Sequence, residues 1–315
     1  MIFKALNQNK IVDIISPGTA STISEIEKIK NFVKKIGLNP RIFLEEKFIL
    51  KTPSSCELPA FSAELRFEQL RQAIENPESK IIWCARGGYG TGDLLPFLEK
   101  MPKPKKPKIF IGFSDISSLN QLLIGKWNWQ VVSAPVLLQI AVNSVSKKSE
   151  KAIIDFIFGK KSELKYSLKL LNEKKSQPLE TLIVGGCVSV LAGHFGTKNQ
   201  LDWNKKILFL EDEGEDGERL DRYFRQIVEI SFEQKKFPAA IVLGNFLQAN
   251  PHGTPQAKNI ELAIEKFIQR WQEKNLSIPL FAEKSKCLGH SKNMMPLVLG
   301  HQTKITADNF LIQKF

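Results

Sequence analysis

A chain of 315 residues that is 43% hydrophobic and 25% charged can bury a large core and is long enough for one big domain or two ordinary ones; two are expected. The formal net charge of +12 admits a nucleic-acid or membrane partner, but nine lysines fall between Lys147 and Lys175 and others in the Pro-rich run from Lys103 to Lys108, so much of the excess reads as solvated linker and loop. No run of 18 apolar residues occurs, the first residues lack the apolar segment of a signal peptide, and Cys56, Cys84, Cys187 and Cys287 form no C-x-x-C pair and no metal-ligand spacing with His; the expectation is a soluble, cytoplasmic protein with no nucleic-acid or membrane partner.

Short apolar runs that end in turn residues alternate with stretches of helical period, the pattern of βαβ units and a parallel sheet. Ile11 to Ile15 reads as a strand ending at Ser16-Pro17-Gly18. A helix follows, capped by Ser21 or Thr22, with an apolar face through Ile23, Ile26, Ile29 and Val33. Phe61 to Ile74 reads as a helix, and Lys80 to Ala85 and Lys108 to Phe113 as buried strands. The second strand ends at Arg86-Gly87-Gly88-Tyr89-Gly90 and the third at Ser114-Asp115. Ligands of open α/β sheets bind beyond such carboxyl ends, so three unusual ends predict one site.

After a helix around Ala152 to Phe158 the chain is polar and Lys-rich, and residues 156–178 are predicted to be a linker between a domain of residues 1–155 and one of residues 179–315. In the second domain Leu179 to Val184 reads as a strand, Gly185-Gly186 as the opening of a helix to Gly193, Lys206 to Leu210 as a strand, Leu220 to Ile230 as a helix and Ala239 to Leu243 as a strand.

Gly112-Phe113-Ser114-Asp115 holds a hydroxyl where a buried strand turns into a helix, near N–H groups able to stabilise an oxyanion. The second Gly of a nucleophile elbow is missing, because position 116 is Ile, and Ser114 or Asp115 is equally well explained as a helix N-cap. The loop after Arg86 lets backbone approach a ligand closely. It matches neither G-x-G-x-x-G nor a P-loop, so it reads as an oxyanion donor or as a plain tight turn.

A serine nucleophile needs a base and an acid that orients it. His194 on a helix and His252 and His301 in turns fit structural roles better, which leaves His290, in a loop after the apolar run Ile278 to Ala282, as the candidate base. Acids cluster at Glu211-Asp212-Glu213-Gly214-Glu215 directly after a strand. Such a run could hold a divalent cation, but the EF-hand spacing is absent; Glu211, nearest the strand, is the candidate partner of a His, and a solvated acidic turn is the plain alternative.

The stretches IISPGT, ARGGYGTGDLLP, IGFSDISSLN, SAPVLL, VGGCVSVLAGHFGT, LFLEDEGEDGERLDR, IVLGNF and LGHSKNMMPLVLG together resemble, in order, the LD-carboxypeptidase (muramoyltetrapeptide carboxypeptidase) family of serine peptidases, which includes microcin C self-immunity hydrolases. The resemblance implies an N-terminal Rossmann-like α/β domain with a parallel sheet, a smaller C-terminal swivelling β/α domain, and an active site between them. It implies Ser114 as nucleophile, His290 as base and Glu211 as orienting acid, with Glu215 an open alternative. Asp115 and Gly88 are the implied oxyanion donors, within a substrate-binding stretch that includes Arg86 and Gly87. No cofactor or metal is implied; a homodimer is, with a murein tetrapeptide as substrate and an aminoacyl-nucleotide amide as the alternative. A non-catalytic nucleotide- or nucleic-acid-binding module is the distant alternative. Ser133, Asn245 and Met294-Met295 depart from the family pattern, and they bear on substrate preference rather than on reaction type.

Overall fold

The computed structural model describes residues 6–47, 49–50, 59–172, 177–247, 256–274 and 278–315. The chain divides into two compact units, one of Met1–Ser162 with Lys292–Val298 and Phe315, the other of Glu163–Ser291 with Leu299–Lys314.

The first unit is built on a six-stranded sheet in the order Asn39–Arg41, Ile11–Ile15, Ile81–Cys84, Ile109–Ile111, Val131–Ser133, Leu297–Leu299. The first five strands run parallel. The three strands from Ile81 to Ser133 are buried throughout, as expected of a sheet covered on both faces. The helix Ile23–Lys35 is closed by a capping box in which Thr22 and Glu25 bond each other's backbone N–H. Ile26, Ile29 and Val33 face the core as predicted, whereas Ile23 is 49% exposed. The helix Ala63–Glu75 starts at a Ser62 cap and turns two polar residues, Arg66 and Gln69, inward.

One lysine of the basic run is not solvated. Lys108 is buried, and its Nζ donates to the carbonyls of Ala73 and Asn76 and to Ser79 Oγ, 3.6 Å from Asp13 Oδ2. Asp13, wholly buried in Ile11–Ile15, also accepts from Arg41 Nε at 2.8 Å and from Asn76 and Ser79. A buried carboxylate is tolerable only with such partners, while burial pushes the Lys108 ammonium down to about 8.

The second unit is a closed barrel of seven strands, ordered Ile207–Glu213, Ala240–Leu247, Leu280–Glu283, Glu163–Leu170, Phe310–Lys314, Gln302–Ile305, Leu179–Cys187. The helices Gly217–Glu233 and Gln256–Glu273 pack together, with Phe224 stacked on Phe267 at 4.4 Å between ring centres.

Three expectations change. Glu163–Leu170, inside the predicted linker of residues 156–178, is a barrel strand: Leu164, Tyr166 and Leu168 are buried while Glu163, Lys165 and Lys169 face solvent, so the lysines are the wet half of a period-2 pattern. Gly185 and Gly186 open no helix. They lie in the strand Leu179–Cys187 at φ +145° and +142°, and a Cβ on Gly185 would fall 1.8 Å from the Phe209 carbonyl oxygen; the helix that follows is short, Val188–Ala192. Finally, Lys292–Val298, placed by sequence in the C-terminal domain, belongs to the first unit, where Leu297–Leu299 adds an edge strand.

Candidate active site

In the first unit the sheet reverses its strand order between Ile11–Ile15 and Ile81–Cys84, the switch point where ligands of such sheets bind. The loops that follow these strands and Ile109–Ile111 meet there. Phe113 is extended and Ser114 turns abruptly to φ +64° before the helical turn Ser114–Leu119. Phe113 occupies the cap position and no side chain caps that turn, so capping does not account for the serine. A left-handed conformation costs a non-glycine residue about 1–2 kcal/mol and persists only where its surroundings hold it.

Those surroundings are the glycine loop. A Cβ on Gly87 would lie 3.3 Å from Ser114 Cβ and 3.7 Å from its Oγ, so loop backbone rests against the serine side chain. Gly88 has φ +98°, and a Cβ there would fall 2.0 Å from Thr19 Oγ1, which accepts the Tyr89 N–H at 3.2 Å. The buried carboxylate of Asp115 accepts the Thr91 N–H at 2.8 Å, and burial pushes its pKa up against bonds from Thr91 and Gly90. Arg66, 2% exposed, holds the frame from behind, donating to the carbonyls of Pro17 (2.5 Å), Gly90 (2.7 Å) and Phe61 (3.2 Å) and to Asp93 (2.9 Å). Gln69 accepts the Ser16 N–H at 2.8 Å. Arg86, expected on the substrate, bonds Glu25 at 3.3 Å and the Ala20 carbonyl at 3.4 Å.

In the second unit the acidic run is not a turn. Glu211, Asp212 and Glu213 are the last residues of Ile207–Glu213, so alternate side chains take opposite faces. Glu211 and Glu213 reach His290 and Asp212 does not. Glu211 Oε2 accepts the His290 backbone N–H at 2.9 Å and lies 2.6 Å from the ring Nδ1. A carboxylate accepts, so Nδ1 carries the proton and Nε2 is the basic nitrogen. Glu213 Oε2 stands 3.6 Å from Nε2. Glu215 pairs with Arg219 at 3.6 Å instead. Gly289, at φ +89°, leaves room for this approach, since a Cβ there would fall 2.6 Å from Glu211 Cβ and Cγ. Burial lowers the pKa of His290, but the charge and hydrogen bond of Glu211, then Glu213 and Asp212, outweigh it and the net direction is up. Asp212, also buried, accepts the Ser189 N–H at 2.7 Å, has no hydrogen-bond partner for Oδ1 among the described residues, and is pushed up to about 6 by burial.

Ser114, Asp115, Gly87, Gly88 and Arg86 thus share the first unit, and Glu211 and His290 the second. His194 is half-buried and His301 Nε2 lies 2.8 Å from the Lys314 carbonyl oxygen. His252 and Cys56 lie outside the described residues. Among the described residues no group of three or more His, Cys, Asp or Glu is placed to hold a metal ion. Sequence reasoning missed Arg66 and Gln69, and it counted Asp212 and Glu213 in the acidic cluster without giving either a role. The available signal was Arg66 and Gln69 at positions three apart on the apolar face of their helix, continued by Leu70 and Ala73.

The profile of the LD-carboxypeptidase N-terminal domain matches residues 12–134 and that of the C-terminal domain matches residues 180–305. The chain belongs to the LD-carboxypeptidase family. The murein tetrapeptide carboxypeptidase of Pseudomonas aeruginosa is 32% identical over 197 residues, 59% of this chain and 62% of that protein. A Rickettsia conorii protein provisionally named a carboxypeptidase is 28% identical over 95% of this chain and 88% of its own length. The fold is also that of the muramoyltetrapeptide carboxypeptidase of Oxalobacter formigenes (TM-score 0.76, 23% identity, 97% of this chain and 99% of that one). It is shared by an MccF-like protein of Streptococcus pneumoniae solved with AMP (TM-score 0.76, 19% identity, 98% and 99%). This LD-carboxypeptidase family member is therefore a peptidase-type hydrolase whose relatives act on murein peptides or carry the MccF fold. No helix among its described residues is long and apolar enough to cross a membrane.

Proposed function

We propose that the chain is a serine carboxypeptidase that cleaves the L,D-amide bond of murein tetrapeptides and releases terminal D-alanine, as a cytoplasmic homodimer. The observation that carries this reading is Ser114 at φ +64°, thrust out of a strand end against Gly87 with no capping bond to explain it. In this mechanism His290 Nε2 takes the Ser114 proton while Glu211 holds Nδ1–H and stabilises the imidazolium. The alkoxide attacks the amide carbonyl, and the N–H groups of Asp115 and Gly88 hold the oxyanion. His290 protonates the leaving amine of D-alanine, and water then resolves the acyl-enzyme and regenerates Ser114. Each oxyanion donor contributes roughly 2.7–4 kcal/mol to such a barrier reduction.

The test is D-alanine release from L-Ala-γ-D-Glu-meso-diaminopimelate-D-Ala by the purified chain. Release that Ser114→Ala abolishes is expected; no release, or undiminished release by the variant, overturns the reading. The fold shared with MccF, which has been solved with glutamyl sulfamoyl guanosine and with aspartyl sulfamoyl adenosine, supports aminoacyl-nucleotide amides as the second substrate class. They belong in the same assay, and a higher kcat/KM for them would reverse the order.

A further inference from the structure

The strands Ile207–Glu213 and Ala240–Leu247 pair in register up to Leu210 opposite Leu243 and resume at Asp212 opposite Phe246. Two residues, Gly244 and Asn245, therefore stand opposite one, Glu211. Such a bulge re-aims a side chain, and bulges concentrate beside active sites. Here the extra residue aims Asn245 at the His290 loop. Its Nδ2 donates to the His290 carbonyl oxygen at 2.5 Å and its backbone N–H donates to the Leu288 carbonyl oxygen at 2.8 Å. Gly244 permits the approach: a Cβ there would lie 2.5 Å from the Leu288 oxygen and 2.8 Å from the Phe209 ring. His290 is thus held at its N–H by Glu211 and at its C=O by Asn245, on the two residues that face each other across the bulge.

We propose that Asn245, expected from the sequence to bear on substrate preference, is instead a positioning residue of the catalytic site, which fixes the backbone of His290 and so the place from which its ring meets Glu211. The inference rests on the reading of His290 as the general base. The chemistry demands a donor, because the His290 and Leu288 oxygens can only accept. An amide satisfies this at every pH. An ionised aspartate does not; a protonated one does.

The experiment compares the whole wild-type chain with Asn245→Ala and Asn245→Asp. For Asn245→Ala, kcat for D-alanine release should fall roughly 10- to 100-fold with KM unchanged, the size of effect that follows from small misplacements of a reacting group. The rate of Asn245→Asp relative to Asn245→Ala should rise as pH falls, because the protonated carboxyl restores the bond to His290. Lys169, Lys286, Glu261, Glu265 and Glu283 line the cavity beside Asn245, and Glu211 faces it across the bulge; they move the midpoint of that recovery but not its direction. A second readout is independent of activity. The low-field Nδ1–H signal of His290, assigned by its loss in His290→Ala, should broaden in Asn245→Ala. If the wild type releases no D-alanine, the proposed function fails, and this signal alone decides the present inference. Unchanged kcat or an unchanged Nδ1–H signal in a folded Asn245→Ala overturns it, as does a pH-independent ratio; the near-isosteric Asn245→Asp serves if the alanine variant does not fold.

Discussion

The nucleophile region of the first unit and the acid–base region of the second are built from different physics. Around Ser114 the work is done by backbone: a positive φ, the glycines Gly87 and Gly88, whose neighbours leave little or no room for a Cβ, and one buried arginine bonded to loop carbonyls. Around His290 it is done by charge, with Glu211, Asp212 and Glu213 in succession on one strand and Glu211 Oε2 accepting from both the His290 backbone N–H and the ring Nδ1–H. Backbone geometry is set once the fold forms and responds to pH only through the buried Asp115 that accepts the Thr91 N–H. A carboxylate cluster does respond, and the two regions should separate in how they fail.

The largest effect belongs to the serine. Ser114→Ala and Ser114→Gly should both lower kcat on the order of 10⁴- to 10⁶-fold. They should differ in stability: glycine relieves the left-handed conformation and should raise the unfolding free energy by about 1 kcal/mol, whereas alanine should leave it nearly unchanged. Equal urea midpoints for the two variants would remove strain from the description of the nucleophile.

Next comes Glu211→Gln, which keeps size but loses the charge that fixes the tautomer and stabilises the imidazolium. A loss of about 10³- to 10⁴-fold in kcat at unchanged stability is expected, with the acidic limb of the pH profile moved to lower pH, since the charge of Glu211 holds the His290 pKa up. Arg66→Met, which strips the donor from four acceptors, should lower stability by about 3 kcal/mol in urea unfolding. It should also lower kcat, because the Pro17 and Gly90 carbonyls frame the site loops. A stable variant with lowered kcat would mean that Arg66 serves the loops alone.

Asp212 offers a pH test of the charged region. Its folded pKa, about 6 against an ordinary 3.8, means that the native state binds more protons between those values, so stability falls as pH rises through that window. At 1.36 kcal/mol per unit the penalty above pH 6 is about 2–3 kcal/mol. Asp212→Asn should therefore be more stable than wild type at pH 7.5 and lose the advantage at pH 4. The smallest effect is expected from Glu213→Gln. Glu213 is half exposed and solvent-screened, so kcat should change less than about tenfold, with the acidic limb again moving down. The direction is the same as for Asp212, in a higher window: the raised pKa of His290 adds stability that is present below 6.5 and lost as pH rises through the folded value. Titrating the wild type and Glu213→Gln by histidine NMR checks the direction.

The sequence was most readable where one signal spoke for one structure. Ile11–Ile15, Ile81–Cys84 and Ile109–Ile111 are continuous apolar runs bounded by turn residues, and the predicted strands cover them. Thr22, one of the two residues expected to cap the helix Ile23–Lys35, is its cap, whereas Ser62, which the expected range from Phe61 placed inside a helix, caps Ala63–Glu75. Reading failed where two signals overlapped. In Glu163–Leu170 a lysine-rich composition masked strict alternation. Gly185-Gly186 looked like a helix start, yet it is where one barrel strand presses on another. The acidic run passed for a turn because its carboxylates hid the continuation of a buried strand.

By itself, then, the sequence determined the parallel sheet, the strand-end loops that carry Ser114 and the glycines, and, through the order of its motifs, the family. These depend on local periodicity and turn chemistry, which short windows contain. The tertiary structure decided that Glu211 rather than Glu215 meets His290, that Arg66 and Asp212 are buried beside the candidate groups, and that Asn245 turns toward His290. Each of these depends on strand register, a bulge or a close backbone approach between residues tens of positions apart, where a shift of one residue sends a side chain to the opposite face.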